Sequence, residues 1–142
     1  MPVNLVTRGP AERAISFEAQ YADGILHICS LDERHIQHSY SAIEIYLILK
    51  SLQQQFGQNY FPLANNVERL GHGEEQPGLG MTILQVGFDI NIAHAQGSSY
   101  LGPCLEHLGY CEWNGQHHGI QWRLIQENLS DRQLLQDLSE RF

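Results

Sequence analysis

The stretch Ile15-Ser16-Phe17-Glu18-Ala19-Gln20-Tyr21-Ala22-Asp23-Gly24-Ile25-Leu26-His27-Ile28-Cys29 decides the fold class. Ile15, Phe17, Ala19 and Tyr21 alternate with Ser16, Glu18 and Gln20. A period of two describes a strand with one face buried and the other solvated. Asp23-Gly24 is a favoured two-residue hairpin turn, because both central positions need positive φ. A turn of that length sets the register. Tyr21 faces Leu26, Gln20 faces His27 and Glu18 faces Cys29. Parity then turns Leu26 and Ile28 inward and leaves His27 and Cys29 on the other face.

A helix follows the hairpin. Ser41-Ala42-Ile43-Glu44 has the form of a capping box, and Gly57 suits the residue after a helix end. Between them, Ala42, Ile45, Leu49, Leu52 and Phe56 make one apolar stripe, which Ile43, Leu47 and Ile48 widen. So apolar a helix needs cover on more than one side. That cover comes from its own chain or from a second subunit, and the partner expected is a second copy, a homodimer through helix 42–56.

Beyond Gly57, Val67 to Leu70 read as a helical turn closed by Gly71, and residues 71–80 as a mobile glycine-rich loop. Leu84, Val86, Phe88, Ile90 and Ile92 alternate with Gln85, Gly87, Asp89 and Asn91, which predicts a strand with Gly87 as a bend or bulge. A short helix within 98–108 ends at Gly109, and strands follow at 110–113 and 118–125. Ser130-Asp131-Arg132-Gln133 opens a last helix with Leu134, Leu135, Leu138 and Phe142 on its apolar side. Residues 1–12 read as a loose arm. The order ββα-loop-βαββα predicts a single α+β domain over 1–142, with an antiparallel sheet of about five strands and helices mainly on one face. The strand-helix-strand-strand order of its second half resembles the unit of GyrI-like small-molecule-binding domains, a likeness of element order carried by no residue motif.

Composition narrows the function. The 142 residues are 42% hydrophobic and 17% charged, with a net charge of -8 and Lys50 as the only lysine. So few cations cannot neutralise many phosphates, so neither nucleic acid nor an anionic membrane is expected as a partner. Cys29, Cys104 and Cys111 are an odd set of three and read as reduced thiols in a cytoplasmic protein.

Several signatures fail on inspection. Gly78-Leu79-Gly80 has Ile83 where a dinucleotide fingerprint needs glycine, and Gly97-Ser98-Ser99-Tyr100-Leu101-Gly102 is one residue too long for a nucleophile elbow. Cys104, His107, Cys111 and His118 are the right types for zinc but lack a Cys-x-x-Cys knuckle, so no metal and no cofactor is expected. If Pro103 opens its helix, Cys104 sits where amide hydrogens lower a thiol pKa. The same cysteine also completes an apolar stripe with Leu101, Leu105 and Leu108. His94 closes the inner face of the long strand, while His35 and His38 flank the capped helix as solvated side chains.

If Asn114-Gly115 makes a two-residue turn, Trp113 faces Gln116, Glu112 faces His117 and Cys111 faces His118. Cys111, Trp113, His118 and Trp122 then share one face, which can floor a pocket for a flat or cationic ligand. The functional expectation is a small, non-enzymatic binding protein with a small organic or cationic ligand between sheet and helices. Two alternatives stand beside it: an immunity-type inhibitor masking a basic partner, and a small enzyme using histidine or cysteine acid–base chemistry. No catalytic residue is assigned.

Overall fold

Asp23 and Gly24 take φ of 54° and 80°, the geometry whose twist matches that of paired strands. The computed structural model describes residues 2–65, 76–88 and 91–142. It pairs β2 (Ser16–Ala22) with β3 (Ile25–Ser30) in the expected register, Tyr21 facing Leu26 and Glu18 facing Cys29. β4 (Gln37–Ser41) adds beside β3, and β1 (Val3–Val6) adds beside β2, completing a four-stranded antiparallel sheet. β1 corrects the reading of 1–12 as a loose arm. Val3 and Leu5 lean inward opposite Ala19 and Phe17, while Asn4 and Val6 face out. Four residues hold too few periods to declare a strand. What fixes it is Thr7, whose N–H donates to the Ile15 carbonyl at 3.0 Å and whose hydroxyl accepts the Ile15 N–H at 2.9 Å.

α1 (Ala42–Phe56) begins where β4 stops. Ser41 is both the last residue of β4 and the N-cap, accepting the Glu44 N–H at 3.1 Å. Ile45, Ile48, Leu49 and Leu52 are fully buried and share one core with Phe17, Ala19, Leu26, Ile28 and Tyr40 from the sheet. Ile43 and Leu47, on the opposite side of the helix, remain 65% and 40% exposed.

The strand expected over 84–92 is not one. Leu79–Val86 forms a helix, α2, which Gly87 ends with φ of 81°. Asn91 then caps a short helix, α3 (Ile92–Gln96), accepting the Ala93 N–H at 2.8 Å. The misreading has a physical cause. The alternating residues are divided between the end of α2, the stop at Gly87 and the start of α3, and the buried run from Leu79 to Leu84 shows no one-sided period to mark the helix that leads into them. Gly87 is a helix stop rather than a bulge. Gly78 and Gly80, assigned to the mobile loop, are packed instead: a methyl at either would overlap Pro62 or Ala64. Val67 to Leu70, Gly71 and residues 89–90 lie outside the described residues.

α4 (Ser98–Leu108) ends at Gly109, whose φ is 86°. It fills the expected span from 98 to 108, and Pro103 therefore lies inside it rather than at its first position. β6 (Cys111–Trp113) and β7 (Gln121–Leu124) pair antiparallel, and β5 (Phe61–Pro62) joins β7's other edge as a second, three-stranded sheet. Their register corrects the expected two-residue turn. Trp113 faces Trp122, Glu112 faces Arg123 and Cys111 faces Leu124. Asn114 brackets a longer loop, donating its N–H to the Gln121 carbonyl at 3.0 Å and accepting from the Gln116 N–H at 3.0 Å. The slip from Gln116 to Trp122 is even, so Cys111, Trp113, Trp122 and Leu124 keep a common face while His118 leaves the ladder. α5 (Asp131–Arg141) closes the chain, capped by Ser130, with Leu134 and Leu138 buried and Leu135 exposed. The whole is a single α+β domain.

Gly102 of α4 lies flat against Trp122, and a methyl there would overlap the indole ring. Helix propensity alone would make Gly102→Ala stabilising by roughly 1 kcal/mol. Packing reverses the sign: overfilling this contact should cost about 1–3 kcal/mol. Urea denaturation of the variant decides between the two, and a gain in stability would refute the contact.

Candidate functional site

β4, the first turn of α1 and α3 enclose a cleft of about 470 Å³, lined by Gln37, His38, Ser39, Ser41, Glu44 and His94 together with Ile25, Phe88, Asn91 and Ala93. Its centre is a hydrogen bond between a carboxylate and an imidazole. The Glu44 carboxylate meets the His94 imidazole, Oε2 to Nε2, at 2.7 Å, with the side chains 4% and 10% exposed. Glu44 occupies the third position of α1, where a capping-box glutamate would reach back to the N-cap. Here the carboxylate also reaches across to α3. The helix N-terminus still favours its negative charge.

Tyr40 fixes the imidazole from behind. Its hydroxyl donates to the His94 carbonyl at 2.7 Å, and the two rings lie 4.6 Å apart. Burial, and then the neighbouring Glu44 charge, hold the Tyr40 proton far above the ordinary phenol range. The hydroxyl is therefore a permanent donor. α3 can come this close because residue 97 is glycine: a side chain there would collide with Tyr40 Oη and His38 Nδ1. His38 packs its ring against Tyr100 at 5.3 Å. It is half-buried rather than solvated, which corrects the sequence reading.

An imidazole hydrogen-bonded to a buried carboxylate is fixed in orientation at the cleft wall. The pairing joins residues 50 positions apart, so no local motif announces it. The sequence reading gave Glu44 only a capping role and placed His94 at a strand end. His94 does sit at the edge of the core, but on a helix.

The residues singled out from the sequence lie elsewhere. Trp113 and Trp122 are cross-strand partners, and Cys111 is buried beside them. His118 is exposed in the 114–120 loop. None of the four is among the linings of the described clefts. The cation over the Trp113 ring, 4.1 Å from its centre, is Arg8 of the same chain. Cys104 is buried in the middle of α4. Burial, and after it the Glu106 charge, raise the thiols of Cys104 and Cys111 well above the ordinary range. That is opposite in direction to the activation a helix N-terminus would give Cys104, so both thiols act as small hydrophobes. Among the described residues, no three His, Cys, Asp or Glu side chains converge as a metal ion would require. Likewise no helix among them is long and apolar enough to cross a membrane.

No family model, curated protein or solved structure matches the chain.

His38 supplies a pH test. Burial lowers its pKa from 6.5, and the nearby His94 lowers it further. The unfolded chain then binds a proton that the folded chain resists, so stability rises with pH through this window and falls below about pH 6.5. His38→Gln should flatten that acid decline relative to its own stability at pH 8. Urea midpoints from pH 5 to 8 measure it, and an unchanged slope would show that His38 does not contribute.

Proposed function

We propose that the protein acts by binding a small organic ligand in the cleft between β4, α1 and α3. The observation that carries this reading is the Glu44–His94 pair at the cleft wall. Burying a carboxylate is costly even when it is paired, and a cap at this helix needs only Ser41. The other wall groups are the amides of Gln37 and Asn91, the hydroxyls of Ser39 and Ser41, and the imidazole of His38. These both donate and accept hydrogen bonds, while Ile25 and Phe88 offer apolar surface. No lysine or arginine lines the cleft among the described residues. The wall therefore favours an uncharged or cationic ligand over an anion.

The test is a titration of ¹⁵N-labelled protein with ethanolamine, acetamide, glucose and acetate, each at millimolar concentration. Ethanolamine, acetamide or glucose should move the backbone signals of His38, Ser39, Glu44, Asn91 and His94, and Glu44→Gln should weaken that response. Shifts from acetate alone, or shifts that avoid these residues, would defeat the proposal.

A second reading is self-association through α1, supported by the exposure of the large apolar side chains Ile43 and Leu47 on its outer side. Sedimentation at micromolar concentration should show a species heavier than the 16.2 kDa chain, and Leu47→Glu should dissociate it. A clean monomer for the unaltered protein would end this reading.

A further inference from the structure

Glu106 is a second shielded carboxylate, remote from the Glu44 cleft. It lies on α4 with its side chain 16% exposed. The Trp122 indole N–H donates to its Oε2 at 2.9 Å. Arg8 closes on it as a fork, Nε to Oε2 at 3.2 Å and Nη2 to Oε1 at 2.7 Å. The same guanidinium lies over the Trp113 ring at 4.1 Å. A planar cation thus meets a carboxylate edge-on and an aromatic ring face-on, which is the geometry that distinguishes arginine from lysine.

The two sides of this contact are built differently. The acceptor side belongs to the folded body. Trp122 is 1% exposed and Gly102 lets it lie flat on α4. Trp113 is its cross-strand partner. The indole N–H orients Glu106 without help from Arg8. The donor side is the segment after β1, and the Arg8 side chain is 36% exposed. Beside the contact runs a cleft of about 480 Å³, walled by Asn4, Val6 and Arg8 on one side and Pro103, Glu106 and His107 on the other.

We propose that Glu106, Trp113 and Trp122 form a guanidinium seat that Arg8 fills from within, and that its external ligand is an arginine side chain of a basic protein partner. Arg8 acts as a built-in competitor. A tethered group has an effective concentration far above that of a free one, so a lone arginine does not displace it. A segment carrying several arginines gains the general attraction of a chain with net charge -8 and reaches the seat through the adjoining cleft. Displacement of the Arg8 side chain leaves the backbone of the segment anchored, because His117 donates from Nδ1 to the Gly9 carbonyl at 2.8 Å.

The chain's only two tryptophans both belong to the seat, so tryptophan fluorescence reports on it directly. A blocked hexa-arginine peptide and its hexalysine counterpart are titrated, at fixed ionic strength, into the unaltered protein, Arg8→Ala and Glu106→Gln. Removing the internal competitor should tighten hexa-arginine binding at least about fivefold. Glu106→Gln, which keeps an acceptor for Trp122, should weaken it by a similar factor, and hexalysine should bind all three proteins alike. If Arg8→Ala does not fold, Arg8→Lys serves, since a point charge competes less well than a fork. Equal responses to the two peptides would reduce the effect to net charge and overturn the proposal. So would binding that Arg8→Ala and Arg8→Lys leave no tighter than in the unaltered protein.

Discussion

A carboxylate as buried as Glu44, 3% exposed, must find a partner in the interior, and the arrangement of the first sheet, α1 and α3 follows from how it does so. β4 runs into α1 with no loop, so Ser41 is at once a ladder residue opposite Ile25 and the helix cap. That junction fixes Glu44 one turn into the helix. α3 must then bring His94 to it, and three local features make this feasible. Asn91 starts the helix, Tyr40 holds its His94 carbonyl, and Gly97 lets the chain turn tightly past the sheet. The candidate site is a by-product of meeting that demand at the edge of the core rather than in its middle.

The same logic recurs at Glu106, with a different solution. Glu44 is matched by an imidazole, whose charge is conditional on pH, whereas Glu106 is matched by a guanidinium, whose charge is not. Each pair spans distant chain, 50 residues in one case and 98 in the other. In a chain so poor in cations, three arginines are committed to specific contacts. Arg8 holds Glu106, Arg34 holds Asp32 and Arg123 holds Glu112. The latter two pairs are more exposed and contribute little to stability.

Local signals were read well where one face is buried and the other wet. The β2–β3 hairpin came out in register because alternation and Asp23-Gly24 agree, and α1 and α5 came out because serine caps and one-sided burial agree. The reading failed where a segment is buried all round or where a turn residue has two uses. The alternation from Leu84 to Ile92 matched a strand because it falls across the end of α2 and the start of α3, and the buried turns before it carry no one-sided pattern. Asn114-Gly115 fits a tight turn, yet Asn114 holds a wider loop through its side chain. The candidate site was almost illegible, since it exists only once α3 is folded against α1. The aromatic pair Trp113 and Trp122 was legible by parity, but Arg8 could not be placed on it from a segment read as loose.

β1 shows how such long-range contacts complete what a strand cannot do alone. It has four residues, and its outward side chains, Asn4 and Val6, bury little. A pairing this short at a sheet edge is marginal by itself. Its retention depends on contacts made beyond its end, where Thr7 locks onto Ile15, Arg8 onto Glu106, and Gly9 onto His117. Three consecutive residues therefore tie the edge of the first sheet to β2, to α4 and to the β6–β7 loop. The first of these ties is local and carries no charge, whereas the second depends on a cation and a partly buried anion. Loss of Glu106's charge would thus weaken the link between β1 and α4 while leaving the Thr7–Ile15 hydrogen bonds intact, so the edge of the first sheet is coupled electrostatically to α4 through Arg8 as well as through the common hydrophobic core.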